Sequence, residues 1–543
     1  MSGSSDGDKK VDTTSSSTSS LDSRIADEPL YLTYAQQELH PSRIGAAALL
    51  SGFSPAPVSQ CRVLELGCGD GGNLIPLAEA YPQSSFTGVD IDARSIHLAQ
   101  SRASSLHLTN VTFTQSDISD YNPTPKGFDY IICHGLYSWV PASVRTRALE
   151  LVNAALSDRG LALVSYNVLP GWRQRGVLRD IMKFGVELGR TALGKTPEEF
   201  LSGEDRLRAG AQFLTFVSGL RQGSEDNYGA YLKEAISRLQ HADLPYLVHE
   251  YLGEYNEPCS FLDFTAECEK RGLSFIGEAR PAMMFSEDLG ERAATFLTRS
   301  TASPLQREQA LDYFRNRMFR ETILCRSDAL RAQGKEYSAF ALRELPKLLV
   351  STEYAPALPL AQIAHRSEVP FVNVITGREI EVEGGAPALA LALVGARARG
   401  GVSIAGLQAE AAIVGIPGLD KIAWGEILLK LLALGTLEIW SEEIAVQGDK
   451  EAPAKVRGFT RMMAQEVLRS SEDGEGGSVT TASHRTLPLS LQECVLLAHA
   501  SEATSISQLA QLPSLQQEIP KYFDSTDAVA GVIDGLTRKG FFC

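Results

Sequence analysis

An α/β fold on a parallel sheet is the class this sequence predicts, with a helical insertion and mainly α, winged-helix-like domains behind it. Three observations lead there. Strand-like and helix-like segments alternate five times over roughly a hundred residues, as βαβ units do. The strand-like segments are short unbroken apolar runs, which suits strands covered on both faces. The first of them runs into a glycine loop, within VLELGCGDGG (63–72), that opens a helical segment.

RVLELG (62–67) is the first apolar run, and GNLIPLAEAY (72–81) has helical spacing. SSFTGVDID (84–92) is strand-like and ends in acids, ARSIHLAQSRASSL (93–106) is an amphipathic helix, and NVTFTQSD (110–117) alternates as a strand does. FDYIICHG (128–135) and GLALVSYN (160–167) read as buried strands flanking the helix VRTRALELVNAAL (144–156). From 171 to about 250 the chain is mainly helical. A helix (260–272) and strand (273–280) follow, and 312–326 begins helical and ends as a strand, so the sheet is expected to be completed after the insertion. PFVNVITGREIEVEGG (370–385) reads as a hairpin. Beyond it the order helix, helix, helix, short strand occurs twice, separated by the polar, acidic linker SSEDGEGGSV (470–479).

Composition narrows the class. At 543 residues about 3–4 domains are expected. No run approaches the ~20 apolar residues of a membrane helix. The polar, Ser/Thr-rich N-terminus reads as a disordered tail and lacks the apolar core of a signal peptide. Eight scattered cysteines without a C-x-x-C pair suit a reducing cytoplasm. A net charge of −15, with acids in excess over bases in the C-terminal region as well, argues against a nucleic-acid partner and against a DNA-binding regulator. No metal-ligand cluster appears.

The glycine loop fits two patterns. Gly67, Gly69 and Gly72 match a dinucleotide's G-x-G-x-x-G, whereas Gly67, Gly69 and Gly71 match a loop around another ligand. A pyrophosphate on a helix N-terminus is repelled by nearby acids, and Glu65 ends the first strand while Asp70 sits in the loop. Those acids suit a ligand with a cationic amine or sulfonium and no phosphate, which describes S-adenosyl-L-methionine (AdoMet). Asp90, at the end of the second strand, can accept from ribose hydroxyls. Asp117, closing the third, can take an adenine amine with Ile118 on the ring. Asp90 and Asp117 are equally plausible as helix caps, and capping does not exclude ligand binding.

E-x-G-x-G-x-G over Glu65–Gly71, Asp90, and S-D-I at 116–118 resemble a class I AdoMet-dependent methyltransferase with a Rossmann-like sheet. ICHGLYSWVP (132–141), VSYNVLPGW (164–172) and HEYLGEYNEPCSFLDF (249–264) resemble the bacterial members with a methyltransferase regulatory domain, a group that includes rickettsial protein-lysine methyltransferases. The resemblance covers residues 25–330 well and the last third loosely. It implies that Glu65, Gly67, Cys68, Gly69 and Gly71 line the methionyl part of AdoMet and that Asp90 binds ribose. Ile91, Asp117 and Ile118 would frame adenine, and His134 and Gly135 would sit beside the methyl donor. Tyr137, Ser138, Trp139 and Trp172 would face the acceptor, and His134, Tyr137, Tyr166 and Asn167 are the candidates to orient it. A histidine at a strand end is also commonly a packed, hydrogen-bonded residue, and buried aromatics are more often core than lid.

The expected organisation is a tail (1–24), an AdoMet-binding domain (25–170), a helical insertion for dimerisation or as a lid (171–250), completion of the sheet (251–330), a middle domain (331–385), and winged-helix-like domains at 386–470 and 480–543. The helices of 171–250 could pair across a two-fold axis as a homodimer. The N-P-P-Y or D-P-P-Y grip on planar amino groups is absent at the fourth strand. The expected acceptor is a protein side chain, lysine first, with a small molecule as the alternative.

Overall fold

The computed structural model describes residues 30–196, 202–221, 226–239, 244–334, 342–363, 365–396, 401–414, 423–444, 456–470 and 476–500, together with 509, 511–512, 515, 519–523, 526–539 and 541–542. The tail expected at 1–24 lies outside the described residues.

Runs of Val, Leu, Ile and aromatic residues too short for helices become the strands β1 (Arg62–Leu66), β2 (Ser85–Asp90), β3 (Val111–Gln115), β4 (Phe128–Cys133) and β5 (Leu156–Asn167), all parallel to one another. After the insertion, β6 (Leu273–Glu278) and β7 (Phe319–Arg326) join antiparallel, giving the order β3-β2-β1-β4-β5-β7-β6. The order reverses direction between β1 and β4, and the loops leaving their carboxyl ends diverge there, where open α/β sheets bind ligands.

Helices cover both faces. α1 (Pro41–Leu50) starts with proline at its first position, and the His40 Nδ1 accepts the Ser42 N–H at 3.0 Å. α2 (Leu74–Ala80) follows the glycine loop, and α3 (Ala93–Ser105) is capped by Asp92, which accepts the Arg94 N–H. α4 (Ala142–Ala155) leads into β5. Val63, Phe86, Tyr130, Ile132, Leu163 and Ile323 fill one face of the sheet; Leu64, Leu66, Val89, Ile131, Val164 and Leu324 fill the other.

The described residues of 173–256, with residues 30–31, form a compact unit of their own. Its helices are α5 (Arg173–Ala192), α6 (Gly203–Gly219) and α7 (Asn227–Leu239), around Leu178, Met182, Leu214, Leu232 and Tyr251. α5 and α6 touch backbone to backbone: a Cβ on Gly210 would lie 2.9 Å from the Met182 carbonyl. Phe184 and Leu188 on α5, Phe216 on α6 and Leu220 just past its end remain exposed.

In the second unit the chain resumes with α8 (Phe261–Glu269), α9 (Glu291–Ser300) and α10 (Pro304–Arg315) around β6 and β7. Then come β8 (Leu349–Ser351) and an antiparallel sheet of β9 (Tyr354–Pro356), β10 (Glu368–Asn373) and β11 (Glu379–Glu383), in which the expected hairpin is β10–β11. α11 (Ala386–Ala396), β12 (Val402–Ser403), α12 (Ile404–Val414), α13 (Trp424–Ala433) and β13 (Glu438–Trp440) run in winged-helix order. Yet β12 and β13 both pair with β8, so the third strand lies upstream of the expected boundary at 386, and no wing hairpin follows β13 among the described residues. The strand that closes this sheet is far away in sequence, and so escaped a reading of local pattern.

The expected linker at 470–479 also needs correction. Residues 471–475 lie outside the described residues, but Gly477–Thr480 is strand β14, paired with β15 (Thr486–Leu489). The Thr460 hydroxyl of α14 (Gly458–Ser470) donates to the Thr480 carbonyl at 2.7 Å, so this last unit begins well before 480. α15 (Leu491–His499) and α16 (Thr526–Arg538) complete it. Phe459, Val479, Leu496 and Phe541 belong to the same apolar cluster as Val63, Ile75 and Ile96. The C-terminal chain therefore shares a core with the sheet.

Arg320 of β7 is fully buried. Its guanidinium bonds Asp312 at 3.0 Å, Glu278 at 2.7 Å and the Glu308 carbonyl at 2.9 Å, and sits 4.1 Å from the centre of the Phe261 ring. Removing one member leaves uncompensated buried charge. Arg320→Leu should cost about 3–5 kcal/mol of stability, seen as a lower urea midpoint; a midpoint unchanged from wild type would show that the network relaxes without it.

Candidate active site

Because alternate strand residues face opposite ways, Asp90 (β2), Glu65 (β1), His134 just past β4, Ser165 and Asn167 (β5), and Phe319 and Glu321 (β7) share one face at one edge of the sheet. The strand register gives this row: Gly88 pairs with Glu65, Glu65 with Ile132, Cys133 with Val164, and Ser165 with Glu321.

The donor side is the glycine loop. Gly67, Gly69 and Gly71 have φ of +75°, +51° and +76°, a region costly for side chains. Gly72 is needed for another reason: a Cβ there would lie 2.0 Å from the Thr33 carbonyl oxygen. Thr33 straps the loop, donating from its amide (2.7 Å) and hydroxyl (2.5 Å) to Asp70 Oδ1 and accepting from the Gly72 N–H at 3.0 Å. Arg102 holds Asp70 Oδ2. Both oxygens of Asp70 are thus committed, and the expectation that it faces a cationic ligand is replaced by a structural role. The strap comes from a segment 37 residues away, which loop chemistry alone does not reveal.

Glu65 is buried, and its environment is unusual. Oε1 accepts from Asn73 Nδ2 at 3.0 Å, while Oε2 is buried without a hydrogen-bond partner. Burial, with Asp90 and Asp70 adding repulsion, pushes its carboxyl up to about 8. Asn73 Oδ1 in turn lies 2.7 Å from Nε2 of His484, in the turn between β14 and β15. Burial brings His484 down to about 3, so its ring is neutral, and Nε2 must carry the hydrogen that Asn73 Oδ1 accepts. Sequence reading missed Thr33, Asn73 and His484; no local motif marks them.

Asp90 accepts the Gly69 N–H at 2.8 Å and the Asp92 N–H at 2.9 Å, one on each oxygen, and burial raises its carboxyl. Each oxygen keeps a lone pair for a hydroxyl. Asp92, not Asp90, caps α3. Ile91 is half-buried, with its carbonyl accepting from Gln115 at 3.4 Å. Asp117 Oδ1 accepts the Ser119 N–H at 2.7 Å, while Ile118 is buried against Leu64 and Val89. Cys68 is buried beneath the loop with its thiol raised by desolvation; a Cβ on Gly88 would lie 2.7 Å from its sulfur.

Past β4, Gly135 is exposed with open space around it, and its N–H donates to Ser165 Oγ at 2.8 Å. His134 packs edge-on to Phe319 at 5.8 Å. Asn167 is buried, with Nδ2 lacking a hydrogen-bond partner. Five further expected residues are packed against neighbouring side chains or backbone. Tyr166 stacks on Phe264 at 4.0 Å and its hydroxyl meets Thr322 at 3.2 Å, on the opposite face of the sheet from Asn167. Tyr137 packs edge-on against the same Phe264 at 5.2 Å. Ser138 is buried, accepting the Asn167 N–H at 2.9 Å. Trp172 is buried, with Trp139 edge-on at 6.2 Å. Strand alternation places Tyr166 and Asn167 on opposite faces of the sheet.

The loop fits AdoMet on one specific ground: a buried carboxylate oxygen without a partner stands where a cationic amine would satisfy it, beside glycines that let the ligand approach. The free protein holds Glu65 protonated below about pH 8, and a bound cation favours its ionised form. Binding of AdoMet near pH 6.5 should therefore release a proton and strengthen as pH rises toward 7.5. Calorimetry in buffers of different ionisation enthalpy would show this, and Glu65→Gln should abolish it; buffer-independent heats in the wild type would refute it. Asn73→Ala should weaken S-adenosylhomocysteine (AdoHcy) binding about tenfold by releasing Glu65, with a smaller loss in His484→Ala. Equal affinity in both variants would remove the chain of bonds from the donor site.

Comparison with known proteins agrees with this geometry. The family described as "Methyltransferase domain" matches residues 57–183, and that described as "Predicted methyltransferase regulatory domain" matches 243–326. Uncharacterized protein RP028 of Rickettsia prowazekii is 32% identical over 250 residues, which are 46% of this chain and 96% of that protein. RP789 of the same organism is 33% identical over 302 residues, 56% of this chain, and the match spans about half (52%) of that longer relative. The structure of PKMT2 from Rickettsia typhi in complex with AdoHcy superposes with a TM-score of 0.79 at 23% identity, over 94% of this chain and 99% of that one. The chain belongs to the class I AdoMet-dependent methyltransferases that carry a methyltransferase regulatory domain.

Proposed function

We propose that the protein transfers the AdoMet methyl group to a protein side chain, with the lysine amine as acceptor. The observation that carries the protein acceptor is the amount of ordered chain built onto the sheet: β8 to α16 go far beyond what a small-molecule pocket needs, and the last of them share the sheet's core. Whole-chain likeness to PKMT2 supports the same reading.

AdoMet supplies a methyl group on a sulfonium that departs as a neutral thioether. The protein's own part is positioning. Glu65 would bind the amino group, Asp90 the ribose hydroxyls, and Asp117 the adenine amine through its second oxygen, with Ile91 alongside the ring. Holding nucleophile and methyl in line can contribute several kcal/mol. His134 and Asn167 stand on the acceptor side with polar atoms to spare. No helix among the described residues is long and apolar enough to cross a membrane. The free, largely buried cysteines support a cytoplasmic site of action.

The test uses AdoMet labelled in the methyl group, incubated with the full chain and a lysate of its source cell. Label should enter a protein band as methylated lysine and be lost with Asp90→Asn. Label confined to the small-molecule fraction would replace the protein acceptor with a metabolite.

A further inference from the structure

The structure assigns Glu321 as the carboxylate that binds the acceptor's cationic amine, an inference that rests on the amine-methylation reading and deepens it. Glu321 is 5% exposed, and Oε1 has no hydrogen-bond partner. Its nearest polar neighbour there is His134 Nε2, 3.6 Å away and also without a hydrogen bond. Oε2 meets Arg280 at 3.2 Å.

Charge accounting makes Glu321 the member left over. Arg280 also pairs with Glu38 at 3.2 Å. Arg43 pairs with Glu438, and Arg485 with Glu353 and, at 3.6 Å, with Glu438. Glu38 feels Arg280, Arg43 and Arg485 together, which joins these pairs into one group. Four carboxylates thus share three guanidiniums, and the adjacent Lys539 is taken by Glu493. A buried unmatched carboxylate is costly unless something cationic completes it. Glu321 stands on the same sheet face as His134 and, on the next strand beyond it, Glu65, toward the carboxyl ends of the parallel strands.

A primary ammonium fits this corner, donating to Glu321 Oε1. It must lose a proton before its lone pair can attack. His134 Nε2 takes that proton, and Glu321 then pairs with the imidazolium. The nitrogen–carbon bond forms as the methyl's bond to sulfur breaks, the electron pair staying on sulfur, and His134 later returns its proton to solvent through its partly exposed ring.

The test titrates the full chain, saturated with AdoHcy, with n-butylammonium and with its neutral isostere 1-butanol, read by ligand-observed NMR. Wild type should prefer the ammonium about tenfold or more, Glu321→Gln should erase that preference, and Glu321→Asp should keep part of it. AdoHcy affinity, unchanged in both variants, reports that the fold is intact. No preference in the wild type, or a full preference in Glu321→Gln, would overturn the assignment even if labelled methyl still appears on protein lysine. Label on a non-amine acceptor would instead overturn the reading beneath it. His134→Gln should keep the ammonium preference and slow label incorporation; an unchanged rate would remove His134 from the proton path.

Discussion

Burying a carboxylate at the end of the first strand is the constraint around which this site is arranged. Glu65 has one oxygen satisfied by Asn73 and one by nothing in the chain. Such a group is expensive in an apolar interior, and it is kept by a layer of supports that fix its direction: Asn73, the neutral ring of His484 behind it, and the glycine loop strapped by Thr33. A ligand bearing a cation at that point recovers what the empty oxygen costs. The same carboxylate makes a pyrophosphate unwelcome, which separates this loop from dinucleotide loops of similar spelling.

Those supports change the meaning of the C-terminal chain. His484 is 411 residues from Asn73 in sequence, yet one hydrogen bond from it. Arg102, which holds the loop's Asp70, also pairs with Glu466 of α14 at 2.8 Å. Two separate contacts thus run from the donor loop into the last unit. The segment matched by the regulatory family is likewise part of the seven-stranded sheet, since it contributes β6 and β7, and β7 carries the Glu321 proposed to bind the acceptor. Any influence of these regions on catalysis can act through positions already in contact with the site.

Two networks of charge on β7 illustrate how one strand serves two purposes. Arg320 faces the interior, where three carboxylates and the Phe261 ring surround it. Glu321, the next residue, faces the other way, toward His134 and Arg280. The first network is saturated and fixes the strand. The second has an oxygen to spare.

By itself, the sequence determined the parallel sheet, the helical insertion and the donor loop, because each is written in local periodicity: apolar runs of strand length, helical spacing, and acids at successive strand ends around a glycine turn. It also determined that Glu65, Asp90 and Asp117 sit at those ends. Only the tertiary structure decided which of the neighbouring polar residues face the site. Tyr166 and Asn167 adjoin in sequence but project to opposite faces, and Asp70 lies in the loop but is consumed by Thr33 and Arg102. It alone decided that β8 closes the sheet of β12 and β13 and that a polar stretch at 477–480 is a strand. The physical reason is common to all of these. Periodicity records what a segment buries, whereas pairing partners, strand facing and buried charge matches depend on residues hundreds of positions away, which no local pattern encodes.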